Sequence, residues 1–374
     1  MTASVEIPTP HPQIVVIAPQ TPPYGGMALQ AEKLVRLLRQ EGHPVVFLAS
    51  NLPFPNGLGF VNRLRGLRPF VRAIVIAKRL RVELRRAQVV HVLAASWLYF
   101  FLVVAPAVLL ARLSGKRVII NYRSGEGPEF FRSYGWLAAP VFRWASQVTA
   151  PSRFLAETIR KRFELPVKIV PNIVDLTAFS YRQRSRYEPK LLVTRHLEKM
   201  YGVDSVVRAF GYIQKRFPEA SLEIAGTGSE ETRLRELVAE SDLRNVHFRG
   251  QVPHADLPAL YDRSDILLNG SHVDNFPGSL VEASAAGLAV VSSNAGGIPA
   301  MYENGRTAIL VEPGDWQGLA EGVEALIDDP SLGQRLTSAA FHLCRQCEWD
   351  NVRELLYESY GFVAEAVELR AAPL

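Results

Sequence analysis

The sequence predicts an α/β protein of two doubly wound domains. Three observations carry that expectation. The first half alternates short apolar strands with amphipathic helices punctuated by glycine, a second alternating series starts after a polar, basic stretch near residue 180, and 374 residues suffice for two cores. Hydrophobic content of 48 % against 21 % charged residues describes a folded chain, not a disordered one. The expected division is 1–180 and 181–374, with the last helix a candidate to return to the first domain. Facing domains of this kind would leave a cleft lined by the carboxyl ends of their strands.

The elements follow in order. The start, MTASVEIPTPHPQ, is polar and proline-rich, unlike a cleavable signal, and reads as a loose tail. Ile14 to Ala18 is a strand, Gly25 and Gly26 a turn, and Met27 to Gln40 a helix with Leu34, Val35 and Leu38 on its apolar face. Gly42 ends that helix, and Pro44 to Ala49 is the next strand. Asn51 to Pro69 is a Gly-, Pro- and Asn-rich loop, too long for a mere connection. Phe70 to Arg86 reads as a basic helix with interleaved Ile, Val and Leu, either an outer helix of the domain or one that lies on anionic lipid.

Val89 to Ala111 carries no charge over more than twenty residues. It divides into a strand (Val89 to Leu93), a turn (Ala94 to Ser96) and a helix (Trp97 to Leu113), and Val118 to Asn121 continues as a strand. That is a buried βαβ unit rather than a membrane span. Lys168 to Asn172 is the last strand of the first domain, and Thr177 to Pro189 a polar, basic linker. The second series runs Leu191 to Thr194 (strand), Gly202 to Arg216 (helix), Ser221 to Ala225 (strand), Ser229 to Ser241 (helix) and Val246 to Arg249 (strand), with helices from Trp316 onward.

Charge is unevenly divided. Residues 1–175 hold 23 Lys and Arg against 9 Asp and Glu, a net of +14, whereas 176–374 hold 19 against 28, a net of −9. The excess is concentrated between Arg63 and Arg86 and points to an anionic partner: a membrane surface, a phosphorylated lipid or nucleic acid. Cys344 and Cys347 are spaced C-x-x-C, but two cysteines cannot build a four-ligand zinc site and no thioredoxin-like strand precedes them. They read as reduced thiols on one turn of a helix, which suits the cytosol. His91, His196 and His247 lie on or beside strands without the spacing of a metal site, and only His196, next to Arg195, falls near the chemistry described next.

The most informative stretch runs from Asp265 to Pro299. A buried strand (Asp265 to Leu268) leads through a polar loop (Gly270 to Asn275) to a helix opened by Pro277, and Leu288 to Ser292 follows as a strand. Asp274 stands at the loop end and Glu282 eight positions later, inside the helix. Helix-start amides attract phosphate, and a carboxylate one turn on can accept from two neighbouring hydroxyls, as on a nucleotide or nucleotide sugar. Gly25-Gly26 and Gly226/Gly228 each follow a strand, where bare backbone approaches a phosphate closely. Neither completes G-x-G-x-x-G, so a dinucleotide site is not expected.

In PPYGGMALQAEKLVRLLRQEGHPV, VPNIVDLTAF, TRHLEKMYGVDSVVRAF, LEIAGTGSE, VHFRGQV and DNFPGSLVEASAAGLAVVSSNAGGIP, in that order and spacing, the chain resembles glycosyltransferase family 4, retaining nucleotide-sugar transferases of GT-B fold. The resemblance covers nearly the whole chain. It implies that Asp274 and Glu282 are the two acids of the family's E-x7-E motif, Glu282 binding the ribose hydroxyls, with Asp274 and the stretch Phe276, Pro277, Gly278 and Ser279, through the amides after Phe276, holding the donor sugar. Arg195 would neutralise the diphosphate. Gly25 and Gly26 would meet phosphates and acceptor from the other domain, and Gly226 and Gly228 line the donor side. Three positions depart from the family pattern. Asp274 stands for Glu, Tyr201 for the usual lysine with Lys199 two places away, and Tyr122-Arg123 for a histidine, Arg123 being suited to an anionic group.

The resemblance thus implies a hexosyltransferase that moves a sugar from a nucleoside-diphosphate donor to a hydroxyl of a glycan or lipid-linked acceptor in polysaccharide biosynthesis. It would be cytoplasmic, at the inner face of an anionic membrane, with no nucleic-acid partner. No cofactor and no metal are expected, since no D-x-D motif suited to one appears. A nucleotide-sugar 2-epimerase and a catalytically idle sugar-nucleotide-binding subunit are the rival readings.

Overall fold

The computed structural model describes residues 12–22, 25–51 and 66–362. The expected N-terminal tail up to residue 11 and most of the Asn51 to Pro69 loop lie outside them. The chain divides into two compact units. One comprises Met1–Pro151, Leu155–Val170 and Glu354–Leu374, and the other Ser152–Phe154 and Pro171–Arg353. The division therefore falls at Val170/Pro171, ahead of the expected 180/181, and the chain from Glu354 groups with the first unit.

The first unit contains, among the described residues, a six-stranded all-parallel sheet: β1 (Ile14–Ala18), β2 (Val45–Ala49), β3 (Val89–Ala94), β4 (Arg117–Tyr122), β5 (Gln147–Ala150) and β6 (Val167–Ile169). Their spatial order is 2-1-3-4-5-6, so the winding reverses between β1 and β3. Both faces are covered by helices, and the strands accordingly read as unbroken apolar runs: β1 is IVVIA and every one of its residues is buried. The expected helix from Trp97 to Leu113 forms in three pieces, Trp97–Tyr99, a π-helical turn Phe100–Val104, and Ala105–Leu113. Helices Gly127–Trp144 and Arg153–Phe163, with β5 between them, complete the region between Asn121 and the last strand. Three residues of the helix Trp349–Tyr360 bond to the sheet or to the turn before β2. Tyr360 bonds Nδ1 of buried His91 at 2.7 Å, Tyr357 bonds Nε2 of His43 at 2.9 Å, and Arg117 Nε donates to the Ser359 carbonyl at 2.9 Å.

The second unit repeats the plan with β7 (Lys190–Thr194), β8 (Ser221–Ala225), β9 (Val246–Gly250), β10 (Ile266–Asn269), β11 (Ala289–Ser293) and β12 (Ile309–Val311). The spatial order is 12-11-10-7-8-9, reversing between β7 and β10. In such sheets ligands bind outside the carboxyl ends of the strands at the reversal. The strand β12 was not expected from the sequence, being only three half-buried residues. The expected polar linker is also more than a connection. Arg184 within it is buried, donating to Asp265 Oδ1 at 2.8 Å and to the Gly287 carbonyl at 2.7 Å. Burial pushes its guanidinium pKa down while the Asp265 carboxylate acts against that. Cys344 ends the helix Pro330–Cys344, and Cys347 ends the 3₁₀ turn Arg345–Cys347. Both are free thiols, buried, with pKa values that desolvation drives up to about 12.

Candidate active site

At the reversal of the second sheet, the loop after β7 and the loop after β10 lean on each other through bare backbone. A Cβ on Gly202 (φ +54°) would stand 2.0 Å from the Gly270 carbonyl oxygen, and one on Gly270 would stand 2.3 Å from the Gly202 oxygen. Only glycine fits either place. This contact sets Arg195, just past β7, beside Asp274, past β10, and the two form a close ion pair in which both side chains are largely buried. The guanidinium also approaches Ser271 Oγ at 3.4 Å and lies over the Tyr201 ring at 4.2 Å. Its Nε–H is buried and has no acceptor among the described residues. A buried donor left unmade costs about 1–3 kcal/mol, which an incoming oxygen would recover.

Gly226 and Gly228 serve this geometry indirectly. A Cβ at Gly226 would fall 1.8 Å from the Arg195 carbonyl oxygen, and one at Gly228 2.3 Å from that of Leu197. Their bareness makes room for the strand end that carries Arg195, so the chain itself accounts for these glycines. Gly296 and Gly297 do the same for the Asp274 loop, whose carbonyls would lie 2.1 Å from their Cβ atoms, and Gly297 N–H donates to the Asp274 oxygen at 2.7 Å. Glu198 fastens the β7 loop to the β8 loop, accepting from Ser229 Oγ at 2.6 Å and Ser229 N–H at 3.1 Å, and these bonds hold its carboxyl below the usual range.

The helix after this loop, Gly278–Ala285, starts behind Pro277 with no side-chain cap and no acidic residue in its first turn. Ser279 Oγ is buried there without a partner among the described residues. An uncapped helix start with an orphan hydroxyl, beside a fixed guanidinium, is a place for an anion. Phe276 N–H gives a long bond of 3.3 Å to Asp274 Oδ1. One turn on, Glu282 is fixed by Tyr261, whose hydroxyl lies 2.8 Å from Oε2 and 2.7 Å from Thr194 Oγ1. Burial first, and the Glu282 charge second, raise the Tyr261 phenol well above its usual pKa. It therefore stays protonated and donates to Glu282, and Thr194 donates to it in turn. His254 Nε2 stands 3.8 Å from the other carboxylate oxygen.

Arg195, Asp274, Glu282, Phe276, Pro277, Gly278 and Ser279 are thus gathered at one sheet reversal. Lys199 is not gathered with them in the same sense. It is exposed on the 3₁₀ turn Lys199–Tyr201, and its ammonium makes no ion pair or hydrogen bond among the described residues, while Tyr201 supplies the contact to Arg195. Sequence reading missed Tyr261 and His254. A tyrosine in a short amphipathic helix looks like core, and only its distance to Glu282 gives it away.

Gly25, Gly26, Tyr122 and Arg123 belong to the first unit, at the carboxyl ends of β1 and β4. Among the described residues no atom lies within 4 Å of a Cβ built on Gly25 or Gly26, so that backbone is open to them. Tyr122 is buried and bonds Ser96 Oγ at 2.7 Å, so its hydroxyl serves the packing of the site. Half-buried Arg123 reaches Asn121 Oδ1 at 3.2 Å, and desolvation lowers its pKa to about 10. Trp97, also unforeseen, takes φ +60° at the end of β3 and donates from Nε1 to Glu126 at 2.6 Å. A bulky residue held there costs about 1–3 kcal/mol, a cost met at functional sites. His91 lies inside this unit, whereas His196 and His247 are exposed in the other. Among the described residues no group of three or more His, Cys, Asp or Glu is arranged to hold a metal ion.

Comparison with known proteins agrees with this fold. Residues 24–178 match the signature of Glycosyltransferase Family 4, and residues 181–342 that of Glycosyl transferases group 1. The chain belongs to glycosyltransferase family 4. It is 28 % identical to a glycogen synthase of Mycobacterium tuberculosis over 74 % of this chain and 69 % of that one. It is also 28 % identical to a D-inositol 3-phosphate glycosyltransferase of Pseudarthrobacter chlorophenolicus, over 57 % of this chain and 56 % of that one. Among solved structures, the sucrose-phosphate synthase of Thermosynechococcus elongatus aligns at TM-score 0.78 and 17 % identity, covering 94 % of this chain and 99 % of that. HepE of Anabaena, in complex with UDP and glucose, aligns at 0.72 and 17 %, covering 94 % and 100 %. The fold is GT-B, with two parallel-sheet α/β units, and the protein is a glycosyltransferase.

Proposed function

We propose that this family 4 member transfers a hexose from a nucleoside-diphosphate sugar to a hydroxyl of a glycan or lipid-linked acceptor, with retention of anomeric configuration. One observation carries the reading. A guanidinium with an unused buried Nε–H stands beside an uncapped helix start, one turn from a carboxylate locked by Tyr261. A departing diphosphate gains negative charge, so donors fixed in advance stabilise the transition state more than the ground state. Arg195 and the amides at Gly278 and Ser279 would take the diphosphate, Glu282 the ribose diol, and Asp274 the donor sugar while orienting Arg195. The acceptor hydroxyl attacks the anomeric carbon from the leaving-group side, its proton passing to a phosphate oxygen, and the nucleoside diphosphate leaves.

Gly25, Gly26 and Arg123 would meet the acceptor or the phosphates, Arg123 suiting an acceptor that carries negative charge. That HepE was solved with UDP favours uridine as the base. The site is cytoplasmic, at the inner membrane face, and charge neutralisation falls to Arg195 and backbone amides, so EDTA should leave turnover unchanged. The decisive experiment incubates the purified chain with UDP-glucose, UDP-N-acetylglucosamine and GDP-mannose. Slow donor hydrolysis, abolished in Arg195→Ala and giving an initial product of unchanged anomeric configuration by NMR, is expected. Isomerisation of the free donor, or nucleotide binding without turnover under every condition, overturns the proposal.

A further inference from the structure

Large apolar side chains are exposed at fifteen described positions, and twelve of these lie in the first unit. They are not scattered. Helices Arg68–Glu83, Ala105–Leu113 and Gly127–Trp144 pack side by side over one face of the first sheet. Phe70 and Ile74 project one turn apart from the first helix, and Leu109 and Leu113 one turn apart from the second. From the third project Trp136, 70 % exposed, with Leu137 and Trp144. A free monomer rarely leaves two tryptophans and this many aliphatic chains in water together.

The charge around them is one-sided. Residues 66–144 hold 13 Lys and Arg against 3 Asp and Glu. Lys78, Arg79, Arg81, Arg85, Arg86, Arg112, Arg132 and Arg143 are exposed, and none of them is ion-paired among the described residues. No helix among the described residues is long and apolar enough to cross a membrane. Tryptophan and aliphatic side chains set among unpaired cations match the boundary of an anionic bilayer, where the rings sit at headgroup depth and the cations meet lipid phosphates.

We infer that this three-helix face is a docking surface for an anionic lipid bilayer, with Trp136, Trp144 and Leu113 entering the headgroup layer and the basic residues holding it there. The inference deepens the lipid-linked acceptor reading and gains its purpose from it, although the surface stands on its own observations. The test is flotation of the full chain with phosphatidylcholine vesicles and with equimolar phosphatidylcholine–phosphatidylglycerol vesicles, read alongside tryptophan emission. Binding to the anionic vesicles alone, a blue shift, and release by salt are expected.

Trp136→Ser with Trp144→Ser should remove the blue shift and lower partitioning at least tenfold. Lys78→Glu with Arg81→Glu should lower it by more than tenfold, given roughly fivefold per basic residue at such a surface. Donor hydrolysis in buffer should be untouched in both, which also certifies their folding. Absence of binding to anionic vesicles, or binding indifferent to these substitutions, overturns the inference. So does a concentration-dependent dimer in light scattering that the tryptophan substitutions dissolve, because the face would then belong to a second copy. Vesicle binding without turnover of any lipid-linked acceptor would instead defeat the acceptor reading and leave this surface standing.

Discussion

The two units share a sheet architecture but differ in where their glycines and charges are spent. In the second, Gly202, Gly226, Gly228, Gly270, Gly296 and Gly297 each face a backbone carbonyl oxygen that an added Cβ would strike, at 1.8 to 2.3 Å. In the first, Gly25 and Gly26 face no described atom within 4 Å. One set of glycines lets loops close on each other and so fixes Arg195 and Asp274. The other leaves backbone bare for something from outside. Identical residues in similar motifs thus do different physical work, and only the neighbours distinguish them.

The largest test of that contrast is a pair of alanines. Gly226→Ala forces a Cβ onto the Arg195 carbonyl at φ +151° and should destabilise the protein by more than about 4 kcal/mol in urea denaturation. Gly26→Ala should hold stability within about 1 kcal/mol, since it opens the helix Gly26–Gln40 with no clash, yet lower kcat/KM for the donor. Equal losses of stability would erase the distinction. Arg195→Ala should reduce kcat by roughly 10²–10³, the scale for removing one transition-state donor, with melting measured beside it because Asp274 loses its partner.

Between pH 7 and pH 5 the first unit should lose stability through His91. Burial, aided by Arg123, depresses His91 from 6.5 to about 3. The unfolded chain therefore binds the proton first. Stability is full above pH about 6.5 and falls as pH drops toward 3, by about 2 kcal/mol at pH 5. His91→Asn should flatten that limb in urea titrations at pH 7 and pH 5. A limb that persists in the variant assigns it to other groups.

Smaller effects sharpen the donor site. Tyr261→Phe removes the bond to Glu282 and should weaken UDP binding by about tenfold in calorimetry, kcat changing little. It should also erase any preference for UDP over its 2′-deoxy analogue, a readout that mere loosening of the core would not move. Lys199→Ala should change kcat/KM by no more than about threefold, because Tyr201 already occupies the face of Arg195. A hundredfold loss would return Lys199 to the machinery.

Much of this was legible beforehand. Alternation of apolar strands with glycine-stopped helices yields most strands of the two sheets, as at Ile14–Ala18, because buried parallel strands leave little freedom of composition, although the short β5 and β12 were not read from it. The nearness of Arg195, Asp274 and Glu282 was readable because Arg195 follows a strand, Asp274 stands in a strand-to-helix loop and Glu282 lies one turn into the helix after it. Other features were hidden for definable reasons. Arg184 looks like a solvated linker charge, and its burial depends on carbonyls a hundred residues away. Tyr261 looks like core, and Trp97 gives no sign of its left-handed backbone. The π turn at Phe100–Val104 lies inside a run too uniformly apolar to show either period.

The chain's only two sulfhydryls, Cys344 and Cys347, lie in the second unit. With ionisation deferred to about pH 12, both should resist maleimide while their surroundings stay closed. Their rate of modification then becomes a built-in clock for breathing of that half alone, since the other half offers the reagent nothing to label.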